Sequence, residues 1–195
     1  MRILGISCYY HDSVTVSDGQ LVAAAMEERF THLKHDSRFP LAAIRFCLDA
    51  GGVKAQNTDY LVVYERPISK LERILQSSLA GFPRTMSLFR KSMASWFGEK
   101  LWIKGHIASE LGIAPDRILF VEHHLADTAS AFFSSPFRES TIVTVDGVGE
   151  WTTTAVGEAI GCWDRTDVGN SVRLIKEIRY PDLLVLLYST LIAYL

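Results

Sequence analysis

The sequence predicts an α/β protein, and three observations carry that prediction. Short strand-type runs open the chain and are joined by tight-turn signals. Amphipathic helical periodicity then occupies residues 67–113, and a second group of strand-type runs follows between 141 and 178. The composition agrees: of 195 residues, 48% are apolar and 22% charged, which is ample for a core and excludes an intrinsically disordered chain. At roughly 150 residues per domain, the length fits one domain or slightly more.

Residues 2–8 form an Ile-rich apolar run. Residues 13–17 alternate, with Val14 and Val16 on one face, and Asp18-Gly19 is a hairpin signal before the returning run at 21–26. Together they predict a three-stranded antiparallel start. The stretch 27–38 is rich in charge (Glu27, Glu28, Arg29, Lys34, Asp36, Arg38) and reads as solvated loop rather than core. Pro40 opens a helix carrying Ile44, Cys47 and Leu48 on one face, and Gly51-Gly52 stops it. Residues 60–64 read as a buried strand. In the helical region, Gly81-Phe82-Pro83 separates a stretch with Leu71, Ile74 and Leu75 from one with Met93, Trp96, Phe97 and Leu101. A strand at 118–121 runs into a helix from Glu122 to about Phe133. Strands are expected at 141–145, 151–156, 160–163 and 172–178, and Pro181 opens a last helix that is apolar almost all round. Such a helix has to be covered by something, so the chain is expected to be a fragment of a longer protein or to dock on a partner.

Several function classes are excluded. With 20 Lys+Arg against 22 Asp+Glu, the net charge of −2 gives no footprint for nucleic acid or an anionic membrane. The longest apolar-rich run, 183–195, falls short of the ~20 residues of a membrane span. Residues 1–6 show no signal-peptide pattern, and the dispersed Cys8, Cys47 and Cys162 suit a reducing compartment, so a cytoplasmic location is expected.

Four constellations could carry chemistry. His123 and Asp127 stand at i and i+4 of a helix, about 6 Å apart along its axis. Asp146 ends a strand before Gly147 and Gly149. One imidazole with two carboxylates suits Fe(II), Mn or Zn, although His123 as a cap and Asp127 as a dipole-favoured first-turn residue would explain the same pattern. The turn from Asp146 through Gly147, Gly149 and Glu150 to Thr152, Thr153 and Thr154 could admit a phosphate between its glycines and hydroxyls, or be an ordinary hairpin. Tyr10-His11-Asp12-Ser13 is a second such turn, phosphate-facing or merely solvated. Finally, the cations of 28–38 could clamp an anion or pair among themselves. His32, His106 and His124 show no partner in the sequence, and His124 points about 100° away from His123 on a helix.

In order along the chain, Ile3-Leu4-Gly5-Ile6-Ser7, Tyr10-His11-Asp12-Ser13, Glu27-Glu28-Arg29-Phe30-Thr31, Glu122-His123-His124-Leu125-Ala126, Ser135-Pro136-Phe137, Val145-Asp146-Gly147-Val148-Gly149-Glu150-Trp151 and Tyr180-Pro181 resemble the O-carbamoyltransferases. These include the nodulation-factor and antibiotic-tailoring carbamoyltransferases. The resemblance implies an actin-like (ASKHA, RNase-H-like) domain with a mixed five-stranded sheet flanked by helices. It implies transfer of a carbamoyl group from carbamoyl-adenylate, made from carbamoyl phosphate and ATP, to a hydroxyl of a small molecule or sugar. A divalent metal, iron first, would be held by His123, Asp127 and Asp146, with Asp127 standing where the family normally has His. His11 and Asp12 are the implied catalytic pair, and Ser13, Gly147, Gly149 and Thr152 the implied nucleotide contacts.

Residues 1–195 are then expected to be the N-terminal part of the actin-like domain, without its second half and without a YrdC-like domain. Such a piece would be inactive alone and would complete itself as a homodimer or with the missing half. The residues 182–185, Asp-Leu-Leu-Val, also replace a small, Ser/Gly-containing stretch of the family. Two alternatives stand beside this expectation: a catalytically silent assembly module of the same fold, and another ASKHA-type phosphotransferase.

Overall fold

The computed structural model of the chain describes residues 1–8, 12–17, 19–34, 36, 38–98, 100–147, 149–161 and 169–194; for 12–17 and 186 it describes the backbone only. The chain divides into two compact units, one of residues 1–67 with 78–121 and one of residues 68–77 with 122–195.

The first unit is built on a five-stranded mixed sheet. Its strands are β1 (Arg2–Ser7), β2 (Asp12–Ser17), β3 (Gln20–Met26), β4 (Tyr60–Tyr64) and β5 (Ile118–Val121), in the order β3-β2-β1-β4-β5. The first three are the antiparallel meander read from the sequence, with Gly19 at φ 79° in the second turn, a backbone conformation glycine adopts without cost. β4 and β5 add in parallel beside β1. Register places Leu4, Leu61 and Ile118 in one row across the three parallel strands, all essentially buried. The helices of this unit are α1 (Glu28–Thr31), α2 (Leu41–Ala50), the ends of α3 (Pro67–Ala80), α4 (Met86–Gly98) and α5 (Ile103–Leu111). Ile44 and Leu48 of α2 and Ile103, Ile107 and Leu111 of α5 close the same core over Leu4, Ile6, Leu61 and Val63. α2 ends as expected at Gly51-Gly52, with Gly52 at φ 59°.

One expectation for this unit is corrected. The charged stretch at 27–38 is not wholly solvated, because Glu27 and Asp36 are buried. Glu27 accepts hydrogen bonds from the backbone N–H groups of Ala42 (3.3 Å) and Ala43 (2.8 Å), closing the N-terminus of α2 from fifteen residues upstream. Asp36 is gripped by Arg38, whose Nε and Nη2 donate at 2.9 and 2.6 Å. Cys8 and Cys47 are buried thiols, as expected, and burial pushes the Cys8 thiol up to about 12. Cys162, like His11, Asp18 and Val148, lies outside the described residues.

The second unit holds an antiparallel sheet of β6 (Glu139–Val145), β7 (Thr152–Ile160) and β8 (Ser171–Arg179), with α6 (His123–Phe133) packed on it and α7 (Leu184–Tyr194) after it. Here the strands expected separately at 151–156 and 160–163 differ from the structure: β7 runs unbroken from Thr152 to Ile160. Gly157 permits this, since a Cβ there would stand 2.8 Å from the Arg173 carbonyl oxygen across the β7–β8 pair. The middle segment of α3, residues 68–77, belongs to this unit, where the buried Arg73 guanidinium lies 5.6 Å over the Tyr180 ring. α7 is apolar almost all round, as read, with Ser189 and Thr190 the exceptions, but starts at Leu184 rather than Pro181, and it remains largely exposed, Leu187 at 58% and Tyr194 at 92%. No helix among the described residues is long and apolar enough to cross a membrane.

The Arg38 guanidinium holds the Asp36 carboxyl well below the usual carboxylate range. A carboxyl whose folded value is depressed contributes stability above its ordinary pKa near 4 and loses it as pH falls toward the folded value. The stability gap between wild type and Arg38→Met in urea denaturation is therefore expected to be largest at neutral pH and to shrink below about pH 4; a gap independent of pH contradicts this account.

Candidate functional site

The site lies in the second unit and is organised by the first turn of α6. Three backbone N–H groups open that helix without intrahelical partners. Glu122, extended at the N-cap, accepts from the N–H of His124 (3.2 Å) and Leu125 (2.9 Å). Glu150, buried in the turn after β6, accepts from the N–H of His123 at 3.3 Å. Two carboxylates from opposite ends of the site thus complete the positive end of the helix.

Below that turn, α6 buries a stripe at four-residue spacing: His124, Thr128 and Phe132. His124 is fully buried and bonded at both ring nitrogens. Its Nε2 lies 2.8 Å from the Thr152 carbonyl oxygen and its Nδ1 2.6 Å from the Thr144 hydroxyl. A carbonyl can only accept, so Nε2 donates to Thr152, while Nδ1 shares its hydrogen bond with the Thr144 hydroxyl. His124 therefore pins α6 to β6 and β7 at once. The sequence offered no partner for it, because both partners lie in strands twenty or more residues away.

Turned away from that pin, His123 is also buried, and its Nε2 donates to Asp146 Oδ2 at 2.7 Å, with Asp127 Oδ2 at 3.6 Å. The imidazole side chain is 3% exposed while the Asp127 and Asp146 carboxylates are 42% and 36% exposed, so the cluster has a dry floor and a wet rim. The hydrogen bond from His123 holds Asp146 below the usual carboxylate range, helped by the N–H of Gly147. Asp127 moves the other way: burial pushes it up, His123 opposes, and the Asp146 charge adds to the rise. The structure thus brings together the three residues singled out from spacing.

Among the described residues, no group of three or more His, Cys, Asp or Glu side chains is placed so that it could hold a metal ion: His123 Nε2 is turned onto Asp146, and Asp127 stands off at 3.6 Å. By residue type alone, one imidazole and two carboxylates are donors of the kind that Fe(II), Mn or Zn take, so a bound ion would require His123 to release Asp146.

The other predicted site residues are placed differently. Gly149 lies against His123 itself: a Cβ there would stand 2.9 Å from the ring Cγ and Cδ2. Gly147 has open space around its Cα. Thr152 is corrected as a phosphate donor, because it is buried and its hydroxyl donates to Glu177 at 3.0 Å. Thr153 likewise donates to the Asp182 carbonyl oxygen at 2.6 Å, and the buried Thr154 hydroxyl has no hydrogen-bond partner. Asp12 and Ser13, expected in a turn, are the first residues of β2, paired with Ser7 and Ile6. His11 lies outside the described residues. Glu150 had no assigned role, and the only hint was its place in the glycine-rich turn.

An α/β chain with a mixed five-stranded sheet and a His–Asp–Asp cluster at a helix start is of the actin-like class that the motifs implied. The chain belongs to the carbamoyltransferase N-terminus family, whose model matches residues 2–195. It is 43% identical over 202 residues to an uncharacterized protein of Synechocystis sp., sll1178, covering 99% of this chain and 32% of that one. It is 34% identical over 194 residues to the nodulation protein NolNO of Sinorhizobium fredii, covering 96% of this chain and 26% of that one. The chain therefore spans a third or less of the length of these relatives. Among solved structures, YeaZ from Pseudomonas aeruginosa overlays with a TM-score of 0.47 at 14% identity, over 92% of this chain and 66% of that one.

Two substitutions test the construction of the site. His124→Phe strands the buried Thr152 carbonyl and is expected to cost about 1–3 kcal/mol in urea denaturation, with a smaller loss from the half-buried Thr144 hydroxyl. Gly149→Ala forces the His123 ring to move, and overpacking of this kind costs about 1–3 kcal/mol. Its signature is a shifted or lost His123 Nε2–H resonance in NMR spectra, which a merely local loop change would leave in place.

Proposed function

We propose that this chain is the N-terminal part of a carbamoyltransferase that acts on a hydroxyl of a small molecule or sugar. Family membership over residues 2–195 and the likeness to NolNO support carbamoyl transfer. The convergence of His123 Nε2, Asp146 and Asp127 is the observation that carries the reading to a site.

The donor in this proposal is carbamoyl-adenylate, formed from carbamoyl phosphate and ATP. The acceptor oxygen attacks the carbamoyl carbon, the bond from that carbon to the phosphate oxygen breaks, and AMP leaves with the electron pair. The hydroxyl proton passes to a base, for which His11, with Asp12 beside it in sequence, is the residue proposed. His123, Asp127 and Asp146 would hold a divalent ion, iron first and manganese or zinc after it. When bound, such an ion supplies Lewis-acid polarisation of the carbamoyl carbonyl. The chain's own contribution is positional: His124 and the two glutamates fix the helix, Gly149 fixes the ring, and Gly147 orients Asp146. Ser13 and Gly147 remain the proposed phosphate contacts, joined by the Gly149 backbone, with Thr152 removed from that set. In this proposal the enzyme is cytoplasmic and is completed by a C-terminal half or a second copy.

A silent assembly module is the second reading, and the exposed, largely apolar α7 favours it. Metal analysis of the purified chain beside His123→Ala, with ATP binding by calorimetry on the same samples, separates the two. Near-stoichiometric iron, manganese or zinc in the wild type, reduced at least tenfold in the variant, is the outcome expected of the enzyme. No metal and no ATP binding would move the assembly module ahead.

A further inference from the structure

The first unit contains a cavity of about 540 Å³ whose described lining includes none of the residues given a role in carbamoyl transfer above. Cavities of roughly 300–1,000 Å³ are the size that takes small molecules. Its place in the fold is that of a ligand crevice. Cys8, the residue after the carboxyl end of β1, lines it, and β1 stands where the strand order reverses, with β2 and β3 on one side and β4 and β5 on the other. Open α/β sheets take their ligands at the carboxyl ends of strands beside such a reversal.

The lining residues divide into two chemical kinds. Phe39 and Trp102 supply flat apolar surface, and both rings are held in place. Phe39 meets the His106 ring edge-on with centroids 5.1 Å apart, and Trp102 Nε1 donates to the Phe97 carbonyl oxygen at 3.3 Å. Apart from the Cys8 thiol, which burial keeps protonated, the ionisable members of the described lining are basic: Arg38, Lys104 and His106. The Arg38 guanidinium is fixed, since Asp36 takes its Nε and one Nη. Lys104 and His106 are exposed side chains in the first turn of α5, where the helix dipole adds partial positive charge.

We propose that this cavity binds a small molecule that joins an anionic group, a carboxylate or a phosphate, to a flat apolar body. The apolar body packs against Phe39 and Trp102, and the anion meets Lys104, His106 and the fixed guanidinium of Arg38. This gives a role to Arg38, the one cation of the 28–38 stretch in the described lining, which carbamoyl transfer leaves unassigned. Service of the bound molecule as the carbamoyl acceptor rests on the function proposed above, whereas its binding does not.

The test is calorimetric titration of the full chain with phenyl phosphate, benzoate, benzyl alcohol and benzylamine. At least one of the two anions is expected to saturate at tenfold or more lower concentration than benzyl alcohol, with benzylamine weaker still. Tighter phenyl phosphate identifies a phosphate ligand and tighter benzoate a carboxylate, and either supports the proposal. Lys104→Glu, at an exposed position, is expected to weaken anion binding at least tenfold and to leave benzyl alcohol and the circular dichroism spectrum unchanged. Equal affinity for benzyl alcohol and both anions, no saturable binding by any probe, or no effect of Lys104→Glu overturns it. His123→Ala is expected to keep full anion affinity, so failure of the metal site and failure of this cavity give different results; loss of anion binding in His123→Ala also counts against the cavity.

Discussion

The first turn of α6 governs the His123 cluster, and a helix start is by nature an unfinished structure. Its leading N–H groups point forward with nothing to bond, and burying them in that state would cost several kilocalories per mole. Here Glu122 supplies the acceptor from the chain entering the helix and Glu150 supplies it from the turn after β6. The second of these matters more for the site. It ties the glycine-rich turn that carries Asp146 to the helix that carries His123 and Asp127. With the His124 bonds to β6 and β7, that tie gives the two segments that carry the three side chains a common frame.

His124 and His123 are neighbours in sequence with opposite tasks. His124 is buried with both nitrogens bonded to a hydroxyl and a carbonyl of the sheet, an arrangement that holds the helix in place. His123 faces two carboxylates at the wet rim, where charge can be exchanged or shared. The opposite displacements of Asp146 and Asp127 follow from their unequal share of that one imidazole: Asp146 takes the hydrogen bond, while Asp127 bears burial with weaker compensation. A ligand with positive charge would offset the rise at Asp127 and push Asp146 lower still.

Much of this architecture was legible in the chain because the signals were local. Gly19, Gly51-Gly52 and Pro40 punctuate their elements where the structure places the turns, and the i, i+4 spacing with Asp146 before two glycines located the cluster. What could not be read depended on distant partners. Glu27 and Asp36 look like surface charges until Ala42, Ala43 and Arg38 are seen to receive them. His124 has no visible purpose until Thr144 and Thr152 surround it, and the hydroxyl of Thr152 looks free until β8 brings Glu177 alongside. Gly157 gave no sign that β7 continues through it, because its neighbour Arg173 arrives only with the third strand.

The narrow gap between Gly149 and the His123 ring has a consequence for what the loop can carry. A side chain at position 149 would stand 2.9 Å from the imidazole carbons, so the backbone keeps its path past the ring only while that position has no Cβ. The place of the imidazole is thereby guarded by a residue that contributes no side chain at all.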